Sequence, residues 1–219
     1  MKTVAILCNG IRPRKSILNQ FEKKYDFDLI CADGGANSAR KLGFLPKTII
    51  GDLDSIKEGV LVYFKRRSVT IKKLTGQNDT DLEKALKFVI ENKYNQVLVF
   101  GFSGKRFDHT LSNISNSMKY SKKLEVLLID NYSVLQFVRG KKQFASVRGE
   151  TISLICFDQK TKIKTSNLLF SLNSESLQFG RRESTSNVAA NDNFILEVKN
   201  GVCLMTRALK NFLQVSNRS

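Results

Sequence analysis

Asp52 and Asp54 stand two positions apart, directly behind the apolar run Lys47-Thr48-Ile49-Ile50-Gly51. Acids are scarce in this chain: 36 Lys and Arg face 20 Asp and Glu across 219 residues, a formal charge of +16. Yet acids collect repeatedly where apolar runs stop. Such runs end in Cys8-Asn9-Gly10, in Ala32-Asp33-Gly34-Gly35-Ala36-Asn37 and in Gly51-Asp52-Leu53-Asp54-Ser55. A fourth leads into Gln77-Asn78-Asp79-Thr80-Asp81, and a fifth ends in Gly101-Phe102-Ser103-Gly104-Lys105-Arg106-Phe107-Asp108-His109. Glycines at such places let a ligand approach the backbone and offer N–H groups to phosphate oxygens. Converging carboxylates repel one another unless a cation sits among them. Mg²⁺ suits them, because it takes hard oxygen ligands at roughly 2.0–2.1 Å and shares them with substrate phosphates. Lys105 and Arg106 can offset charge on a transferring phosphoryl group. Together these groups point to metal-assisted nucleotide chemistry.

Each residue also has a plainer role. Asp54 or Ser55 is placed to cap a helix starting near Ile56. Asp81 falls in a helical first turn, where the dipole alone favours an acid. Asp33-Gly34-Gly35 reads as a tight turn, and His109 can serve a single polar contact. A lone Asp-x-Asp is weak evidence. Five loops on one rim carrying these groups together are not expected by accident.

That rim requires a particular arrangement of elements. The runs at 3–7, 28–32, 47–51, 68–71, 96–101 and 125–130 are short and continuously apolar, as in strands buried on both faces. Between the fourth and fifth, Thr80 and Glu83 form a T-x-x-E capping box. Leu82, Ala85, Leu86, Val89 and Ile90 then mark one helical face. Strand–helix alternation predicts an α/β domain over residues 1–130, with a mostly parallel sheet flanked by helices. In such sheets ligands bind outside the carboxyl ends of the strands. Beyond residue 131 the runs SVLQFV, TISLIC, NFILEV and VCLMTR alternate instead, predicting a small antiparallel, sandwich-like all-β domain over 131–219. Asn200-Gly201 between two of these runs reads as a two-residue hairpin.

Composition narrows the class further. Hydrophobic content of 42% and charged content of 26% are those of an ordinary globular protein. No uncharged apolar stretch is long enough to span a membrane, and the start lacks a signal peptide's length and cleavage site. The four cysteines form no C-x-x-C and sit in apolar runs, which fits buried thiols in a reducing cytoplasm. One histidine makes a Ser-His-Asp triad or a histidine-based metal site improbable. Neither G-x-x-x-x-G-K-[ST] nor G-x-G-x-x-G occurs, so a nucleotide is held in another way. The basic excess is spread, with 23 basic and 14 acidic residues in 1–130 and 13 and 6 in 131–219. No nucleic-acid-binding module is recognisable, so neither nucleic acid nor membrane is expected as a partner.

Four segments occur in the order and approximate spacing of a known family: Asp33-Gly34-Gly35-Ala36-Asn37, Gly51-Asp52-Leu53-Asp54-Ser55, Thr80-Asp81-Leu82-Glu83-Lys84-Ala85-Leu86 and Arg106-Phe107-Asp108-His109. With Leu177-Gln178-Phe179-Gly180 and Thr185-Ser186-Asn187, the chain resembles thiamine pyrophosphokinase over nearly its whole length. The resemblance implies transfer of a pyrophosphoryl group from ATP, the co-substrate, to the hydroxyl of thiamine, with Mg²⁺ required. It implies Asp52, Asp54 and Asp81 as metal ligands, with Asp33 and Asp108 completing the catalytic set. It places Asn9, Gly34, Gly35, Asn37, Gln77, Thr80, Lys105, Arg106 and His109 around the ATP phosphates. It further implies a cytoplasmic homodimer with active sites at the subunit interface, where Thr185, Ser186 and Asn187 reach thiamine. The sequence departs from the family pattern at Asn78, Lys105 and Ser184, and it has no Trp, which leaves Phe179 as a candidate to stack on thiamine. Two other functions remain: pyrophosphoryl transfer to another hydroxymethyl heterocycle, and non-enzymatic binding of nucleotide or nucleic acid by a basic protein.

Overall fold

The computed structural model describes residues 2–76, 78–104 and 106–216, so the expectations for Gln77 and Lys105 lie outside the described residues. The chain divides into two compact units, Met1–Asn131 and Tyr132–Ser219.

The first unit alternates strands and helices as expected. The strands are β1 (Thr3–Leu7), β2 (Asp28–Ala32), β3 (Thr48–Gly51), β4 (Thr70–Lys73), β5 (Gln96–Phe100) and β6 (Glu125–Ile129). Between them run α1 (Lys15–Tyr25), α2 (Gly35–Leu42), α3 (Glu58–Lys65), α4 (Asp81–Glu91) and α5 (Phe107–Tyr120). All pairings in this unit are parallel, in the order β6-β5-β1-β2-β3-β4. β1 and β5 are buried at every residue, which is why they read as unbroken apolar runs. The fourth run behaves differently: β4 is the edge strand, and three of its four residues are exposed. It begins at Thr70, two residues later than the apolar run at 68–71 suggests.

Order 5-1-2 puts β1 at the centre, so the chain leaves it toward β2 on one side and returns through β5 on the other. The crevice outside this reversal is the usual ligand position of an open α/β sheet. Its loops are tied together. The Cys8 N–H donates to the Phe100 carbonyl (2.8 Å), Gly10 N–H to Gly101 (2.9 Å) and Ile11 N–H to Ser103 (2.7 Å). From the other side, Asp33 N–H donates to the Ile50 carbonyl at the end of β3 (2.7 Å).

The second unit contains β7 (Ser133–Ala145), β8 (Thr151–Cys156), β9 (Lys162–Ser166), β10 (Glu175–Ser176), β11 (Ser184–Val188) and β12 (Asn193–Ala208), then α6 (Leu209–Ser216). All these strands pair antiparallel. Asn200-Gly201 makes no hairpin. β12 runs straight through it as one strand of 16 residues, with a register shift between Val198 and Cys203. Before the shift β12 pairs with β9, and after it with β8. Asn200 adopts the left-handed conformation (φ 59°) that a hairpin would use, and here it makes a bulge. A bidentate ion pair supports the unit's core: Arg207 donates from Nε and Nη2 to Glu150 at 2.7 and 2.8 Å, both side chains buried.

Close backbone approach in the first unit depends on missing side chains. A Cβ on Gly35 would lie 1.8 Å from the Leu7 carbonyl oxygen, so α2 can start this near β1 only with glycine. Gly59 in α3 faces open space. Gly35→Ala is expected to cost about 3 kcal/mol in urea unfolding, whereas Gly59→Ala should be neutral or stabilising by about 0.5–1 kcal/mol.

A candidate metal and phosphate site at the sheet rim

The turns after β2 and β3 and the first turn of α4 bring three carboxylates together. Asp33, Asp52 and Asp81 each present an oxygen, and these oxygens lie within 4.8 Å of one another. Asp33 is 3% exposed, and its Oδ1 is buried with no hydrogen-bond donor. It adopts a left-handed backbone conformation (φ 41°), which Asp tolerates better than most residues. Gly51 makes room for the cluster: a Cβ there would lie 2.8 Å from Asp33 Cβ and 3.1 Å from Asp81 Oδ1. Leu53, between Asp52 and Asp54, also has positive φ (70°), a costly conformation for a bulky residue. Asp52 Oδ1 accepts from the Asp54 N–H (3.2 Å), which closes the turn.

The electrostatics follow from this crowding. Burial raises the pKa of Asp33 above the ordinary carboxylate value, hydrogen bonds from Gly34 and Ser55 work against it, and Asp81 and Asp54 add to the rise. Asp81 is also raised, first by burial and then by Asp52, while Lys84 opposes the shift. Burial lifts the Cys8 thiol to about 12, with a contribution from Asp81. An orphaned buried oxygen, three hard donors and mutual repulsion all suit a small divalent cation, so the residues fit Mg²⁺.

The other expected residues fall into separate groups. Asp54 lies two positions beyond Asp52 and outside the trio, exposed, and accepts from the Ser55 hydroxyl (2.9 Å). Neither Asp54 nor Ser55 caps α3, whose N-cap is Lys57. The Lys57 N–H instead donates to Asn37 Oδ1 (3.0 Å), and Asn37 Nδ2 donates to the Ser55 carbonyl (2.8 Å). Asn37 therefore ties the β2 and β3 loops together with the amide expected to face ATP. Asn9 lies against Gly34, where a Cβ would sit 2.4 Å from the Asn9 amide. Asp108 is exposed and paired to Arg106, whose Nε donates to it at 3.2 Å; the guanidinium holds its carboxyl below the ordinary range. His109 is exposed at the start of α5.

Thr80 caps α4 by accepting from the Glu83 N–H (3.2 Å). The return half of the expected box does not form, because Glu83 turns to α5 and accepts from Lys119 Nζ (2.6 Å) and the Tyr120 hydroxyl (2.9 Å). Two further contributors went unassigned in the sequence. Lys84, 6% exposed, reaches Asp81 Oδ1 at 3.2 Å, and its i+3 spacing from Asp81 was the available signal. Asn116 donates to Thr80 Oγ1 (3.0 Å), a contact between helices that no local spacing announces.

In the second unit, Phe170, Thr185 and Asn187 help line a cavity of about 240 Å³. Asn187 is 1% exposed and its amide is fully engaged: Oδ1 accepts from the Phe170 and Val188 N–H groups, and Nδ2 donates to the Phe170 carbonyl and Ser184 Oγ. Thr185 and Ser186 are exposed, and Ser186 has positive φ (57°). A larger cavity, about 750 Å³, opens at the amino ends of β2, β3 and β4, away from the rim, and none of the expected site residues lines it.

Residues 19–128 match the family described as "Thiamin pyrophosphokinase, catalytic domain", and residues 139–203 match "Thiamin pyrophosphokinase, vitamin B1 binding domain". Thiamine pyrophosphokinase 1 of Oryza sativa subsp. japonica is 28% identical over 73% of this chain and 70% of its own length. Thiamine pyrophosphokinase 2 of the same plant is 31% identical over 73% and 70%. Among solved structures, the thiamine pyrophosphokinase of Bacillus subtilis superposes with a TM-score of 0.81 at 23% identity, covering 94% of this chain and 99% of that one. The thiamin pyrophosphokinase of Candida albicans gives 0.82 at 18% identity, covering 94% and 89%. Identities this low establish the fold alone.

Asp33→Asn gives an asymmetric prediction. The raised pKa means the folded state binds the proton more tightly than the unfolded chain, so this carboxylate costs stability as pH rises through its folded value. Without divalent ions at neutral pH, the variant should therefore melt higher than the parent by calorimetry. Its turnover in the presence of Mg²⁺ should fall about a hundredfold or more.

Proposed function

The chain belongs to the thiamine pyrophosphokinase family, and from that membership we propose that it transfers the pyrophosphoryl group of Mg-ATP to the hydroxyl of thiamine. The thiamine oxygen attacks the β-phosphorus, the bond from that phosphorus to the α-phosphate oxygen breaks, and AMP leaves. Bound Mg²⁺ supplies charge neutralisation at the phosphate oxygens, so the protein's own work is positioning. The observation that carries this reading is the rim trio Asp33, Asp52 and Asp81, converging where an α/β sheet binds ligands.

Asp33, Asp52 and Asp81 hold the cation, and Asp54 extends the same carboxylate surface toward solvent. Lys84 fixes Asp81 from inside the helix. Gly34, Gly35 and Asn9 line the phosphate approach, and Thr80 caps the helix that carries Asp81. Arg106 and His109, at the start of α5, face the polyphosphate. Asp108 is a poor proton acceptor because Arg106 lowers its proton affinity. The hydroxyl proton leaves to solvent water as the new oxygen–phosphorus bond forms.

The thiamine-reaching residues are Thr185 and Ser186, with Asn187 as the buried bracket that holds their loop against Phe170. Phe170 and Phe179 are 68% and 61% exposed on the same unit, which supports an apolar surface completed by a second copy in a homodimer. No helix among the described residues is long and apolar enough to cross a membrane, and the four buried free thiols support a reducing, cytoplasmic setting.

Mixing the protein with ATP, Mg²⁺ and thiamine should release AMP in step with thiamine diphosphate, as read by ion-exchange chromatography. ADP as the product, or nucleotide turnover indifferent to thiamine, contradicts the proposal. A panel of other hydroxymethyl heterocycles should turn over far more slowly than thiamine.

A further inference from the structure

The carboxylate trio has a mechanical problem that its own loops do not solve. Asp81 sits on the first turn of α4 and faces Asp52 and Asp33, so like charge pushes that turn outward. Lys84 restrains Asp81 from within the helix. A second restraint comes from α5. Glu83, two residues after Asp81, occupies the helix position whose carboxylate ordinarily returns to the cap residue's N–H. Here it is 6% exposed and its Oε1 accepts from both Lys119 and Tyr120 on α5, at 2.6 and 2.9 Å. One turn earlier, Asn116 of α5 donates to Thr80 Oγ1 at 3.0 Å, the same oxygen that accepts from the Glu83 N–H. Thr80, just before Asp81, and Glu83, two residues after it, are thus both gripped by α5.

From this geometry we infer that Glu83, through Tyr120 and Lys119, is a positioning residue that holds Asp81 in the metal-binding geometry. The inference rests on the trio being the Mg²⁺ site proposed above. Burying a carboxylate is costly unless it is hydrogen-bonded and paired, and Glu83 meets that cost with partners on another helix. Outer partners of this kind orient ligands, and their loss typically costs about 10–100-fold in metal affinity or activity; a residue that only positions Asp81 should show this in affinity.

The test is Mg²⁺ binding by calorimetry on the full chain, with the ion alone as probe, alongside kcat at saturating Mg²⁺ and the melting temperature. Tyr120→Phe removes only the hydroxyl, and Glu83→Gln removes the charge while keeping the shape. Each is expected to weaken Mg²⁺ binding about tenfold and to leave kcat at saturating metal within about twofold. If Glu83→Gln does not fold, Tyr120→Phe carries the test. Parent-like Mg²⁺ affinity in the folded variants overturns the inference, and so does a kcat loss with affinity intact. A wild-type chain that takes up no Mg²⁺ removes both the inference and the site it rests on. A wild type that binds while the variants match it removes the inference alone.

Discussion

Three carboxylate oxygens within 4.8 Å of one another repel, and the first unit is built around containing that repulsion. In a chain of charge +16 the acids could have been dispersed among cations; these are instead drawn into a partly buried corner. The raised proton affinities of Asp33 and Asp81 express the cost directly. Such an arrangement is favourable only when positive charge arrives, as a proton or as a divalent ion. Holding like charges in such a corner is a cost that the surrounding fold absorbs.

The parallel sheet absorbs much of it. β1 to β3 deliver their loops to one rim, and hydrogen bonds from Cys8, Gly10, Ile11 and Asp33 lock those loops to neighbouring strand ends. Glycines at 35 and 51 permit separations that any side chain would forbid. Lys84 and the α5 face then restrain the one carboxylate of the trio that lies on a helix rather than behind a strand. Strand ends, close backbone contacts and the buried Lys84 together hold three like charges in register.

Much of this was legible in the sequence, because the signals were local. Continuous apolar runs marked the buried strands β1, β2, β3, β5 and β6, and the 3.6-residue pattern marked α4. The acids behind those runs were legible as a rim because parallel strands must share their carboxyl ends. What escaped was set by partners distant in sequence. Glu83 follows Thr80 in a perfect box pattern, but a lysine and a tyrosine 36 and 37 residues on compete for its carboxylate. Asn200-Gly201 has hairpin chemistry, yet β7 lies along both halves of β12 and the pair becomes a bulge. Asn187 looks like a polar group ready for a ligand, but it is buried and its amide is used on Phe170, Val188 and Ser184. The apolar run at 68–71 suggests a buried strand, but β4 itself is Thr70–Lys73, whose two lysines suit the exposed edge it occupies.

The central claim is that the Asp33, Asp52 and Asp81 oxygens form one cation site. Mn²⁺ is a fair substitute for Mg²⁺ at an oxygen-ligand site and scatters anomalously. Crystals grown with Mn²⁺ and a non-hydrolysable ATP analogue should show an anomalous peak bounded by those three carboxylates, with Asp33 Oδ1 among its ligands or those of a bound water. Ordered nucleotide with its metal held elsewhere, and with Asp33 and Asp81 unengaged, would contradict the account.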